Sequence, residues 1–126
     1  EMIRGMKGEA GYKESIEEIY RVLKTDGIFG LGEPMHKNVG IPKEIIPYVT
    51  KGDMPAPWIE CFATLEETIK IVKSVGFEII EADEAPDAQL WWEEYAKYDP
   101  LAGDDAEVIK KDKGRWLTFG YIIAKK

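Results

Sequence analysis

Apolar residues recur at helical spacing near the start of the chain. They are Tyr12, Ile16, Ile19, Tyr20 and Leu23. Charged residues fill the positions between them, so the pattern predicts an amphipathic helix over residues 12–23. Lys24 and Gly27 follow directly. A basic residue in the last turn and a glycine just beyond it are typical of a helix end.

A short apolar run comes next, over residues 28–31, and Glu33 and Pro34 follow it. A run that is apolar on both faces predicts a strand covered on both sides of a sheet. Gly30 and Gly32 do not form a nucleotide-binding loop, because no third glycine opens a helix after them. We interpret them as positions that admit close packing.

The stretch from residue 35 to residue 62 is broken by glycines and prolines. These are Gly40, Pro42, Pro47, Gly52, Pro55 and Pro57. The pattern predicts a loop with one short helix near residues 42–48. Loops of this length in compact domains are usually lids or binding segments, so this one is a functional candidate.

Two more helix-to-strand steps follow. Thr64 and Glu67 form a capping box, the stripe Leu65, Ile69, Val72 and Val75 continues as a helix, and Gly76 ends it before a strand over residues 77–82. An aromatic helix is predicted over residues 87–98, stopped at Pro100. A short helix over residues 104–112 and a final strand over residues 116–124 complete the chain.

Three segments resemble class I S-adenosylmethionine-dependent methyltransferases. Residues 16–29 match that family's helix, R-V-L-K-x-x-G and strand segment, residues 64–77 match its helix-to-strand step ending in G-F, and residues 121–126 match its last strand. The resemblance implies an α/β fold, the C-terminal half of a Rossmann-like sheet. Its three strands, residues 28–31, 77–82 and 116–124, would have the last strand antiparallel between two parallel ones, with flanking helices.

The same resemblance implies where the methyl donor binds. In the family, the glycine-rich donor-binding turn follows the first strand and the acidic residue that holds the ribose ends the second, so both would precede Glu1. We therefore expect S-adenosylmethionine as the cofactor of a longer parent protein. We expect no cofactor-binding residue in this chain, and little activity from it alone.

Composition and charge limit the classes of partner and the cell compartment that we expect. The 126 residues carry a net charge of -7, which repels nucleic acid. No apolar run approaches the length of a membrane span. One cysteine and no leader indicate the cytoplasm, and a single histidine with a single cysteine offers no zinc-site spacing. We expect one domain over residues 1–126.

The candidate substrate-binding residues lie near the ends of the predicted strands. They are Glu33, His36, Trp58, Trp91 and Tyr95. His36 is either a substrate contact or base, or a solvated loop histidine, and Glu33 is either a site residue or a strand-end carboxylate. The aromatic side chains either pack the helix onto the sheet or line a pocket for a cationic or planar methyl acceptor. We expect Trp58, Trp91, Tyr95 and His36 to face one cavity.

The sequence therefore favours part of a methyltransferase that acts on a small molecule and contributes the acceptor side of the active site. The alternative is a non-enzymatic module for ligand binding or dimerisation. We also expect the chain to form a homo-oligomer, because a sheet cut after the family's fourth strand leaves the edge at residues 28–31 unpaired. Residues 1–11 are the segment available to cover that edge or to be exchanged between copies.

Overall fold

The protein is described by a computed structural model, over residues 2–52, 56–99 and 102–126. Of the residues used above, Glu1, Pro55 and Pro100 lie outside the described part. Within that part the elements, in chain order, are α1 (Met2–Val22), β1 (Ile28–His36), α2 (Ile46–Val49), α3 (Trp58–Cys61), α4 (Leu65–Val75), β2 (Glu78–Glu84), α5 (Ala88–Tyr98), α6 (Asp104–Asp112) and β3 (Leu117–Lys125).

The three strands form one sheet in the order β1-β3-β2, and β3 is antiparallel to both neighbours. The last strand therefore lies between two parallel ones, as the resemblance predicted. The β1 register runs from Ile28 opposite Lys125 to His36 opposite Leu117. A bulge at Ile80 interrupts the register of β2.

One face of the sheet is covered by α1 and α4. The core on this face contains Ile71 and Val72 of α4, Ile16 of α1, and Ile122 and Ala124 of β3. The capping box at Thr64 and Glu67 is present at the start of α4, as predicted, with the hydroxyl and the carboxylate each accepting from the other residue's backbone N–H. The amphipathic stripes read from the sequence thus form the interface between the helices and the sheet.

The opposite face of the sheet is largely open among the described residues, and we call it the open face. Ile28 is 57% exposed there. A Cβ placed on Gly30 would meet no atom within 4 Å, and one on Gly32 would meet only a Phe119 ring carbon at 3.6 Å. Our interpretation of these two glycines as close-packing positions is therefore wrong, because no neighbouring group approaches them closely.

Two elements differ in extent from the prediction. β1 continues through Pro34 to His36, although we placed a strand end there; a proline is tolerated in an edge strand, where its missing N–H can face away from the ladder. α1 reaches back to Met2 and bends at Gly8, where φ is 68°. Residues 2–11 are thus helical, and α1 packs against α3 and α4, so they are not a free segment that could cover the β1 edge.

Candidate functional site

Four short helices gather at one end of the sheet, and we call α2, α3, α5 and α6 the cap. The chain enters α2 and α3 after β1, and enters α5 and α6 after β2. The cap therefore lies at the carboxyl ends of the two parallel strands, where α/β sheets hold their ligands. Its core contains Ile45, Val49, Phe62, Val108 and Trp116.

An aromatic cluster lies inside the cap, formed by Trp58, Phe62, Trp92 and Tyr95. The Trp58 ring centroid lies 5.2 Å from that of Phe62 and 5.6 Å from that of Trp92, and the Trp92 centroid lies 6.1 Å from that of Tyr95. The Trp92 indole N–H donates to the carbonyl of Thr118 at 3.0 Å. The cluster thus ties α3 and α5 to the start of β3.

A cavity of about 440 Å³ opens beside this cluster, between the loop after α2 and the start of α6. Trp58 and Tyr48 supply aromatic surface to it, Asp104 and Asp105 supply carboxylates, and Lys51 supplies a positive charge. Trp58 is half-buried and Tyr48 is 39% exposed. The cavity combines aromatic faces with an excess of negative charge.

Asp105 is the carboxylate most tightly held at this cavity. Its Oδ2 accepts a hydrogen bond of 2.8 Å from the hydroxyl of Tyr95. Partial burial raises the pKa of Asp105, the nearby Asp104 and Asp99 raise it further, and the Tyr95 hydrogen bond opposes them. The carboxylate is therefore partly desolvated, a state that a nearby cation would relieve. Both aspartates also stand in the first turn of α6, where negative charge favours the helix.

His36 is the last residue of β1, whereas the sequence pattern predicted it in the loop after the strand. Its ring stacks on Trp116 with centroids 4.8 Å apart and planes 12° from parallel. Nδ1 lies 2.9 Å from the carbonyl oxygen of Lys37. A carbonyl only accepts hydrogen bonds, so in the neutral ring Nδ1 carries the proton and Nε2 keeps a lone pair. The histidine is half-buried, and these two contacts orient its ring.

Glu33 lies on the other face of β1 from His36, because their positions differ by an odd number of residues. Its Oε1 accepts a 2.6 Å hydrogen bond from the hydroxyl of Tyr12 in α1. Burial raises the pKa of the Tyr12 phenol, and the charge and hydrogen bond of Glu33 raise it further, so the phenol stays protonated as a donor. The guanidinium of Arg4 lies 4.0 Å from the centre of the Tyr12 ring. Glu33 therefore joins α1 to the sheet and does not share a site with His36.

Trp91 stands apart from the aromatic cluster. It packs edge-on against Phe119, with centroids 5.4 Å apart, and is 45% exposed. Trp58, Tyr95 and His36 pack around the cap core, but of the four residues predicted to face one cavity only Trp58 lines the cavity of about 440 Å³. Trp91, Tyr95 and His36 do not line it. Adjacent helical residues point about 100° apart, and Trp92 is the tryptophan that turns inward. The aromatic pattern alone did not distinguish the two.

A second cavity, of about 490 Å³, lies at the end of β2. Its polar lining includes Lys37, Asp83, Gln89, Thr118 and Tyr121. Sequence reasoning missed this group, because its members are distant in the chain and form no motif. Only the topology, which brings the ends of β1 and β2 to one edge, could have indicated it.

Gly30 and Gly32 stand within the ladder between β1 and β3, not in a turn that opens a helix. Among the described residues no group of three His, Cys, Asp or Glu side chains could hold a metal ion. No helix in the described part of the chain is long and apolar enough to cross a membrane.

No family model matches the sequence. The fold, however, superposes on solved structures. One is the cyclase SpnF, at a TM-score of 0.64 and 17% identity, covering 97% of this chain and 46% of SpnF. Another is phosphoethanolamine N-methyltransferase 2 of Haemonchus contortus, in complex with phosphomonomethylethanolamine and S-adenosylhomocysteine, at a TM-score of 0.62 and 17% identity, covering 90% of this chain and 29% of that one.

The sequence comparison agrees with the fold. Over 111 residues the chain is 33% identical to the sterol 24-C-methyltransferase of Schizosaccharomyces pombe, covering 81% of this chain and 26% of that protein. The chain has the class I methyltransferase fold. This confirms the resemblance read from residues 16–29, 64–77 and 121–126. The methyltransferase-like chain spans about a quarter to a half of these relatives.

Proposed function

We propose that the chain is part of an S-adenosylmethionine-dependent methyltransferase that acts on a small molecule. We propose further that residues 1–126 form one domain and that this domain contributes the acceptor side of the active site. The observation that carries the proposal is the cap, which places a half-buried aromatic cluster and a cavity of about 440 Å³ at the carboxyl ends of β1 and β2. Likeness to a sterol methyltransferase supports the reaction class.

The task of this chain is to position the acceptor. The sulfonium donor of such enzymes is already activated, so catalysis depends on alignment and on the exclusion of water more than on acid–base groups. Trp58, which lines the cavity and packs with Tyr95 against the cap core, provides apolar surface that excludes water. Nε2 of His36, at the end of β1 and outside the lining of that cavity, is the candidate acceptor of a proton from a substrate that reaches the strand end. Its lone pair remains because Nδ1 donates to the carbonyl of Lys37.

The reading frame around this chain tests the proposal. We expect the longer protein to contain a strand followed by a glycine-rich turn upstream, and to transfer labelled methyl groups from S-adenosylmethionine to small molecules in a cell extract. His36→Gln in that protein should lower kcat more than it raises KM if Nε2 acts as a base. A full-length protein that neither contains the turn nor binds the donor would contradict the proposal.

The alternative is a module that binds a ligand or a second copy without catalysis. The fold alone does not decide between the two, since one scaffold supports many functions. SpnF, described as a cyclase, shares this fold. A longer protein that binds S-adenosylmethionine but transfers no methyl group to any small molecule of a cell extract would favour this alternative.

The isolated chain gives a separate measurement. We expect it not to bind S-adenosylmethionine more tightly than about 10 μM, or roughly -7 kcal/mol, because the helix N-terminus and acidic residue that hold the donor are expected elsewhere. Isothermal titration with S-adenosylmethionine is the measurement. Tighter binding would place donor-binding groups within these residues.

A further inference from the structure

The cavity of about 440 Å³ beside the aromatic cluster has the chemistry of a site for an organic cation. Trp58 lines it from α3, Tyr48 from α2 and Asp105 from α6. Substituted ammonium groups bind where aromatic faces and a carboxylate converge, because ring faces and carboxylates are both negative. The three groups come from three different elements, so the arrangement is a product of the fold.

The charges around the cavity support the same ligand. Asp104 and Asp105 outnumber Lys51 among its charged lining residues, although the ammonium of Lys111, outside the lining, lies 5.9 Å from the centre of the Tyr48 ring. The Tyr95 hydroxyl fixes Asp105 by a 2.8 Å hydrogen bond, so this carboxylate does not need to be ordered when a ligand binds. Tyr95 thereby links the aromatic cluster to the carboxylate. The negative lining also disfavours a phosphate or carboxylate ligand at this position.

We propose that the cavity between Trp58, Tyr48 and Asp105 binds the ammonium group of the methyl acceptor or of its methylated product. This inference rests on the proposed function only for the role of the ligand; binding of the cation itself requires neither donor nor turnover. The methyl donor carries a sulfonium cation of similar chemistry. The test therefore includes the donor as a separate arm.

Choline is the probe and 3,3-dimethylbutanol is its neutral isostere. Saturation-transfer NMR on the 126-residue chain should show binding of choline with a dissociation constant of about 1–10 mM. The isostere, which has the same shape without the charge, should bind at least about tenfold more weakly. The indole Nε1 resonance of Trp58, assigned through Trp58→Phe, should move with choline. Equal binding of the two compounds would overturn the proposal.

Variants locate the site. Asp105→Asn keeps an acceptor for Tyr95 while removing the charge, and should weaken choline about three- to tenfold. Glu107→Gln makes the same change of charge at an exposed position of the same helix, outside the cavity lining, and should change binding less than twofold. Tyr48→Leu removes a ring that is 39% exposed and should weaken choline similarly to Asp105→Asn. Equal effects of Asp105→Asn and Glu107→Gln would refute the site.

The remaining arm of the test distinguishes an ammonium group of the methyl acceptor from the sulfonium group of the methyl donor. If S-adenosylmethionine displaces choline and binds more tightly than S-adenosylhomocysteine, which lacks the charge, the cavity serves the donor and the assignment to the acceptor is wrong. If neither nucleoside competes while choline binds, the assignment holds. Failure of choline to bind removes this inference but leaves the methyltransferase proposal intact, because that proposal is tested by methyl transfer in the longer protein.

Discussion

The carboxylate of Asp112 holds the turn between α6 and β3. It is 1% exposed and accepts hydrogen bonds of 2.9 Å from the backbone N–H groups of both Trp116 and Leu117. Asp112→Ala leaves two buried donors without that acceptor, which should lower the free energy of unfolding by about 2–4 kcal/mol. Urea unfolding measures the loss. Glu107→Ala, exposed on the same helix, is the control and should change stability by less than about 0.5 kcal/mol.

Asp105 should make stability depend on pH in the opposite sense from a carboxylate held by a cation. Burial raises its folded pKa above the unfolded value. The folded state therefore holds this proton more tightly, and the stability it contributes is present below the unfolded pKa and lost as pH rises through the folded pKa. Asp105→Asn should thus raise stability at pH 7, by no more than about 1 kcal/mol because the group is partly exposed.

Thermal unfolding of wild type and Asp105→Asn between pH 3 and pH 8 measures the effect. The stabilising effect of the variant should shrink as pH falls through the carboxyl range, where the wild-type group is also neutral. A variant less stable than wild type at pH 7 would show that the lost charge was favourable, through the helix dipole of α6, and that desolvation is the smaller effect. The same substitution weakens cation binding, so the site would trade stability for recognition.

Helix α4 shows how local signals act at the scale of an element. The Thr64 hydroxyl accepts from the Glu67 backbone N–H at 3.2 Å, and the Glu67 carboxylate accepts from the Thr64 backbone N–H at 3.0 Å. Thr64→Ala should lower the free energy of unfolding by about 1 kcal/mol. Glu67→Ala should have a smaller effect, and the two together should be less than additive, because they remove one reciprocal pair.

Chemical denaturation of the two single variants and the double variant completes the cycle. Glu66→Ala removes a carboxylate from the same first turn without touching the capping box, so it separates the cap from the helix dipole. An effect of Glu66→Ala equal to that of Glu67→Ala would mean that charge, not the reciprocal hydrogen bonds, stabilises this helix start.

Local sequence patterns predicted elements well where apolar periodicity and helix caps coincide, as in α4. They predicted elements less well where contacts between residues distant in the sequence determine the local structure. The four-residue helix α3 was missed, because its Trp58 also packs on Trp92 of α5, a contact distant in the sequence. Gly8 and its neighbours did not mark α1 as helical before residue 12, since glycines disfavour helices locally. His36 was placed in a loop because Pro34 normally ends a strand.

The candidate site was predictable only in part, for the same reason. The sequence indicated that aromatic residues and His36 would gather at the carboxyl ends of the strands, and Trp58 and Tyr95 do share a cluster there. It could not assign the helical phase that turns Trp92 inward and Trp91 toward Phe119. Nor could it select Asp105, whose role comes from Tyr95 ten residues earlier in the chain.

At the scale of the molecule, the exposed strand edge predicts self-association. β1 pairs only with β3 among the described strands, and Ile28 on it is 57% exposed. Unpaired edges recruit other strands, so we expect a concentration-dependent dimer, formed by pairing β1 across a two-fold axis. Light scattering at high micromolar concentration measures it. A positive charge on this edge, as in Ile28→Lys, should shift the chain toward monomer, and a wild-type chain that stays monomeric would contradict the expectation.

The position of β3 has a consequence for the order in which the protein is made. β1 and β2 are each joined to β3, the last of the three strands to be synthesised, and residue 28 pairs with residue 125. At a translation rate of about 5–20 residues per second, β1 waits several seconds on the ribosome without its partner. The helices can form meanwhile, whereas the pairing of β1 and β2 with β3 can form only after β3 emerges.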